Sequence, residues 1–197
     1  IQDEYMRAKG IDYFENSRRA AYAQREYANQ NPMQWRGYDS KIWGLSACDG
    51  PASTEQLYNG QKRGFFGYAG RGTTAVHSID DGTIAPTAAG GSLPFTPEYS
   101  LPTLRYFYSH YRPRIWTAYG FRDAFNLGLG WYDTDTLGID QGPIVIMIEN
   151  YLTQKVWRLF MRDPDIQRGL QRAGFLPLTS MVPNLQPVPA QGAFNLS

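Results

Sequence analysis

The sequence predicts an all-α fold in which helices are joined by long loops. Three observations predict it. Apolar residues recur at helical spacing over 12–29, 100–111, 144–160 and 163–173. No run alternates apolar and polar residues for long enough to build a sheet. An aspartate before a glycine, with proline close behind, recurs at Asp49-Gly50-Pro51, at Asp81-Gly82 ahead of Pro86, and at Asp140-Gln141-Gly142-Pro143.

Composition narrows the class. A chain of 197 residues, 42% hydrophobic, is long enough for one domain with a real core. A net charge of +1 gives no electrostatic case for nucleic acid or a membrane surface. No transmembrane run or signal peptide is visible, and Ile1 in place of an initiator Met implies an upstream segment. Cys48 is the only cysteine, which excludes an intrachain disulfide and a zinc-thiolate cluster. With only His77 and His110, a histidine-rich metal site cannot be built, and a Ser-His-Asp triad would rest on one of them. Aromatic residues, at 15%, are abundant beside the acids. Rings that stack on sugar faces and carboxylates that bind hydroxyls or move protons are the materials of a carbohydrate cleft. They are also the materials of a packed core.

In chain order, residues 1–10 read as the end of an incoming helix or linker. Residues 12–29 form a helix with Tyr13, Ala20, Ala21, Tyr27 and Ala28 on one broad face, stopped by Asn31-Pro32. Arg18 and Arg25 suit a solvated face; Asn16, Arg19 and Gln24 are candidates if the helix lines a cleft. Small residues around Trp43-Gly44-Leu45-Ser46-Ala47-Cys48 imply close backbone packing, with Trp43 either core or a stacking platform. Residues 52–83 read as a long irregular region whose aromatics argue against disorder. Gly70-Arg71-Gly72 lacks the spacing and the Lys-Ser/Thr of a phosphate loop. Residues 86–91 are short but helix-compatible. Ser100 is expected to cap a helix to about Tyr111, with Leu101, Leu104, Tyr108 and Tyr111 as its stripe. Residues 112–137 read as a loop-rich connection carrying Trp116, Tyr119, Asp123, Trp131, Asp133 and Asp135. Asp163-Pro164 starts a last helix that Gly174 stops.

The stretch from Gly138 organises the rest. Asp140 is expected as the N-cap of a helix whose first residue is Pro143. Ile144, Ile148, Tyr151, Leu152, Val156, Leu159 and Phe160 continue at helical spacing to about Met161. Both sides of its first turns are apolar, so this helix should be deeply buried. A carboxylate at its mouth is a place for chemistry; the alternative is a cap and nothing more. At a helix N-terminus it should have a depressed pKa and stay ionised, as a base requires. If such helices pair around a centre, the junction aspartates gather at one end, the layout of an (α/α) toroid with an acidic, aromatic cleft. Five or six helices cannot close a toroid, so about half of a larger domain is expected here, the rest lying upstream or on another chain.

The segments Tyr13–Ala20, Trp43–Pro51, Asp81–Ser92, Tyr119–Asn126 and Gly138–Pro143 through Glu149-Asn150-Tyr151 carry a resemblance. In order and content they resemble the glucoamylase-like domain of bacterial endo-β-1,2-glucanases and cyclic β-1,2-glucan synthases. The resemblance implies an (α/α)6 toroid with its C-terminal half in residues 1–175; residues 176–197, with four prolines and little periodicity, read as a Pro-rich tail. It implies hydrolysis or transfer at β-1,2-linked glucan, no metal or other cofactor, a glucan oligo- or polysaccharide as partner, and a periplasmic or secreted bacterial setting. It further implies inverting acid/base catalysis. The general acid would be a Glu of the first half of the domain, outside this chain. Asp140 is the candidate base, with Asp49 second and Asp123 third. Arg19, Trp43, Asp49, Phe121, Asp123 and Trp131 are candidates to line sugar subsites. Two other classes stay open: a non-catalytic carbohydrate-binding or assembly half-domain, and a cyclising transglycosylase.

Overall fold

A computed structural model describes residues 2–3, 12–73 and 79–176. In order, its elements begin with β1 (Gln2–Asp3), α1 (Tyr13–Gln30), β2 (Ala47–Cys48), β3 (Thr54–Tyr58), β4 (Gln61–Phe65), β5 (Ala69–Gly70) and β6 (Thr83–Ile84). Next come α2 (Pro86–Gly91), α3 (Pro97–Ile115), β7 (Trp116–Thr117), β8 (Gly120–Phe121), β9 (Phe125–Asn126) and β10 (Trp131–Tyr132). The chain closes with α4 (Gly138–Thr153), α5 (Lys155–Phe160), α6 (Pro164–Arg172) and β11 (Phe175–Leu176). Two compact units result, one of Tyr13–Trp157, the other of Ile1–Asp12 with Arg158–Ser197. Apart from the strand pair Gln2–Asp3, the residues expected as an incoming helix or linker lie outside the described residues, as do His77 and tail residues 177–197.

In the smaller unit β1 pairs antiparallel with β11. There α6 begins as its sequence requires: Asp163 accepts from the N–H groups of Asp165 and Ile166, Pro164 is the first helical residue, and Gly174 follows with φ +79°.

The larger unit corrects the all-α expectation. Its helices carry small antiparallel sheets between them: β6–β9–β10, β2–β5, β3–β4 and β7–β8. The regions expected as loops, 52–83 and 112–137, hold most of these strands. Each ladder is short, so no alternation could announce it. The β3–β4 hairpin is an exception: its turn is Asn59-Gly60, both at positive φ (50° and 77°), a strong local hairpin signal.

Helix α1 buries Ala21 and Ala28, two turns apart on one face, and ends at Asn31, whose side chain bonds Trp35 N–H and carbonyl at 2.8 Å. Helix α3 starts after Thr96, not at Ser100; Ser100 lies inside it, buried, its hydroxyl 3.1 Å from that of Thr96. The core gathers Trp43, Phe65, Ile84, Phe107, Ile115 and Phe125, with Phe107 edge-on to Phe125 at 5.3 Å.

Helix α4 departs from expectation at both ends. It begins at Gly138 after extended Leu137, so Asp140 stands in the first turn and caps nothing, and Pro143 lies inside the helix. The apolar period runs on to Phe160, but the backbone breaks at Gln154 in the left-handed conformation, φ 56°. Buried Asn150 holds the break: its carbonyl accepts from Gln154 N–H at 2.9 Å and its side-chain oxygen from Trp157 N–H at 3.0 Å. Nor is α4 deeply buried in this chain. Ile144 is, packed so closely on α2 that a Cβ at Gly90 would lie 2.6 Å from it. Val145, Ile148 and Leu152 are 64%, 36% and 66% exposed. No described helix is long and apolar enough to cross a membrane.

Candidate active site

Four aspartates meet because three pieces of backbone converge. The first is the turn after β2. Asp49 follows Cys48, whose carbonyl accepts from Arg71 at 2.7 Å. Arg71 is itself held by Asp81: its Nε and Nη2 each donate over 2.9 Å to one carboxylate oxygen, and both side chains are fully buried. The same guanidinium bonds the carbonyls of Phe66 and Gly67 at 3.1 Å. Buried charge is tolerated when paired and fully hydrogen-bonded, and here it ties three loops together. Arg71, at the centre of the rejected phosphate-loop motif, is thus an internal brace.

The second piece is the β9–β10 ladder. Asp123 precedes β9 and Asp133 follows β10, so the ladder sets them side by side. Asp133 N–H donates to Ala124 carbonyl at 3.0 Å and Asp123 N–H to Asp135 carbonyl at 3.1 Å. Asp49 N–H then donates to Asp123 Oδ2 at 2.7 Å. Carboxylate oxygens of Asp49, Asp123 and Asp133 lie within 4.8 Å of one another. That spacing suits sugar hydroxyls, and it would also admit a hard divalent cation.

The third piece is the first turn of α4, which delivers Asp140, 6% exposed, against Asp123. Burial pushes its pKa up to about 7, helped by the negative charge of Asp123 and a hydrogen bond with it, then by Asp133 and Asp49. Asp49 and Asp133 are also raised, in each case chiefly by burial. The expected depressed pKa of Asp140 is therefore overturned. A helix terminus is worth about 0.3–1 kcal/mol to a charge. Each pKa unit costs about 1.4 kcal/mol, so burial among like charges outweighs it.

No Lys or Arg among the described residues forms an ion pair with any of the four carboxylates. Arg122 is close, but its guanidinium donates to the carbonyl of Asp133 at 3.0 Å. Among the described residues, Asp140 Oδ2 and Asp133 Oδ2 are buried without a partner, two oxygens placed to meet a water or a hydroxyl.

Of the residues expected at the site, Asp49, Asp123 and Asp140 come together. Two of the three Asp-Gly junctions thus supply the cluster, whereas Asp81 goes under Arg71 and Asp80 accepts from Tyr27 and Tyr38 at 2.7 and 2.8 Å. Trp43 is 1% exposed in the core, so it offers no face for stacking. Phe121 is likewise buried, edge-on to Trp116 at 4.8 Å, and contributes its carbonyl. Trp131 is half-buried beside Cys48, Ala85 and Ala124. Arg19 is exposed on α1 and pairs with Glu15 one turn away. Asp133 and Gln141 also stand at the site, and neither is among the candidates the sequence offers. Asp133 carried no signal beyond its place among aromatic residues; Gln141 stood in the most prominent motif, beside Asp140.

The glycoamylase family model, described as "Putative glucoamylase", matches residues 1–164. The chain belongs to the glycoamylase family. This glycoamylase chain is 37% identical over 164 residues to an exo-β-1,2-glucooligosaccharide sophorohydrolase (non-reducing end) of Parabacteroides distasonis, spanning 83% of itself and 20% of that protein. It is similar to an endo-β-1,2-glucanase of Chitinophaga pinensis solved with sophorotriose and glucose, at 37% identity and TM-score 0.75 over 89% of this chain and 37% of that one. A β-1,2-glucanase of Parabacteroides distasonis aligns at 36% identity and TM-score 0.74, over 88% and 22% respectively. The chain therefore spans about a fifth of the curated relative and little more than a third of the longest-covered structure among these. These three relatives are β-1,2-glucan hydrolases, and the chain matches part of each.

Proposed function

We propose that this chain carries the base side of an inverting β-glucan hydrolase site, acting on β-1,2-linked glucan. The observation that supports it best is the buried Asp140 carboxyl, set among three other aspartates with one acceptor oxygen unpartnered. An inverting hydrolase needs a carboxylate that takes a proton from the attacking water. A base is most effective when its pKa lies near the working pH, which the environment of Asp140 favours. Asp49, Asp123 and Asp133 would hold the water and sugar hydroxyls around it. The general acid stands on a segment outside this chain, about 6.5–9.5 Å across the cleft from the base in an inverting pair.

A second reading is kept by one observation. Val145, Ile148 and Leu152 expose an apolar stripe on α4, at the spacing of a face that packs against other helices. On this reading the domain's remaining half, in cis or on another chain, covers the stripe and supplies the acid, and the chain alone binds glucan without turning it over.

Product analysis tests both. The protein is incubated with linear β-1,2-glucan beside β-1,3-, β-1,4- and α-1,4-glucans, with an Asp140→Asn control. Short oligosaccharides from β-1,2-glucan alone, lost in the control, support the hydrolase. Binding of β-1,2-oligosaccharide without products supports the half-domain. Cyclic products would assign a transglycosylase, and neither binding nor products would sink the glucan reading.

A further inference from the structure

We infer that Gln141 is a positioning residue: its carboxamide ties the first turn of α4 to β8 and so holds the Asp140 carboxyl against Asp123. The inference rests on the proton-transfer reading of Asp140 for its functional meaning, while its geometry is independent of it.

Asp140 and Gln141 are consecutive residues of a helix, so their side chains leave it about 100° apart. One enters the carboxylate cluster. The other turns to β8, where Gln141 Nε2 donates to the carbonyl of Phe121 at 2.7 Å. Phe121 is two residues from Asp123, and the backbone between them has little slack. Arg122 N–H is held by Ile115 carbonyl at 2.8 Å, the Arg122 side chain holds Asp133 carbonyl at 3.0 Å, and Asp123 N–H is held by Asp135 carbonyl at 3.1 Å. The Gln141 bond is thus a direct strap between the segment bearing Asp140 and the segment bearing Asp123.

The other side of the strap is shaped for it. Gly120 has φ +114°, and a Cβ there would stand 2.1 Å from Gln141 Oε1. Only glycine leaves room for the amide and adopts that backbone readily. A second tie, Thr87 Oγ1 to the Asp140 carbonyl at 3.2 Å, fixes the helix turn from α2. Among the described residues, the titratable groups facing the Asp140 carboxyl are Asp49, Asp123 and Asp133. Like charges push the carboxylates apart, so an inward strap is needed to keep them close when a proton leaves.

The test is a carboxyl-carbon NMR titration of the chain, with Asp140→Asn assigning the Asp140 signal. Gln141→Met keeps the side chain's length and apolar stem and removes the donor. It should lower the Asp140 midpoint by about one pH unit or more, because the carboxyl relaxes away from Asp123. Ala28→Gly, which loosens α1 at a buried position away from the cluster and leaves a methyl-sized void, should leave the midpoint within about 0.3 unit. An unmoved midpoint in Gln141→Met, or an equal shift in Ala28→Gly, overturns the inference. If Gln141→Met fails to fold, the wild type still decides: the Gln141 side-chain amide signal must move with the Asp140 midpoint, and an independent amide overturns the strap. A wild-type midpoint near 7 that ignores Gln141→Met removes the strap alone. An ordinary wild-type midpoint removes both the strap and the proton-transfer reading.

Discussion

The main-chain N–H of Asp49 donates to the Asp123 carboxylate over 2.7 Å, across 74 residues of sequence. That bond makes Asp123 the hub of the acidic cluster, since its side chain meets both the Asp49 turn and Asp140. Asp123→Ala should therefore do more than remove one charge. It leaves a half-buried amide without its acceptor, which costs up to about 1–3 kcal/mol. It also takes away the nearest negative charge to Asp140. The expected result is a lower melting temperature together with a lower Asp140 midpoint, read by calorimetry and carboxyl NMR on the same sample. A melting temperature unchanged from wild type would contradict it.

Asp140 sets a pH dependence of stability whose sign is opposite to that of a salt-bridged aspartate. Its folded pKa, about 7, lies above its ordinary value of 3.8, so the native state keeps a proton that the unfolded chain gives up. Its contribution is fully present below the ordinary value and is lost as pH rises through about 7. Asp49 and Asp133 are raised as well and push in the same direction. The melting temperature should fall between about pH 4 and about pH 7 and level off above. Asp140→Asn, a neutral isostere of the protonated acid, should flatten most of that fall and melt higher than wild type at the alkaline end. A wild-type melting temperature that rises over this window would refute the assignment.

Turnover should follow the same group. In any sample that cleaves β-1,2-glucan, Asp140→Asn should lower kcat by about 10²–10⁴ while the protein stays folded, because a general base is lost. The acid limb of the wild-type kcat profile should lie near neutral pH, not near an ordinary carboxylate value. Turnover within a few-fold of wild type would strip Asp140 of the role.

The Arg71–Asp81 pair should behave as a buried pair with no water to fall back on. Arg71→Met leaves Asp81 uncompensated and frees the carbonyls of Cys48, Phe66 and Gly67, so a loss of about 3–5 kcal/mol is expected. Denaturant unfolding of the single variants and of Arg71→Met with Asp81→Leu checks it. The double variant should recover part of the loss, since an apolar pair strands no charge. A single variant as stable as wild type would show that the pair is not buried as described.

Helix periods, caps and turn residues act within a few residues of each other, which is why they were legible. Residues 12–29 and 163–173 fold close to where their patterns place them. Asn31 and Gly174 end helices for the local reasons their types suggest. The same local reading could have found the Asn59-Gly60 hairpin. It misplaced the start of α4, because Leu137 and Gly138 carry no cap signature and a proline mid-helix mimics a first residue. It also ran α4 into α5, because the break at Gln154 is held by Asn150, a buried side chain that reaches past the break.

Sequence alone determined the materials: three acidic junctions, too few histidines and cysteines for a histidine-rich or thiolate metal centre, and an ordered set of motifs specific enough to name a family. Tertiary structure decided which aspartates meet. Asp133 joins because an antiparallel ladder faces it to Asp123, and Asp81 leaves because Arg71 is buried beside it. Tertiary structure also reversed the charge state expected of Asp140. A helix terminus favours an anion by local dipoles that sequence can announce. Burial and neighbouring carboxylates act through space, depend on which distant segments converge, and here are the larger effect.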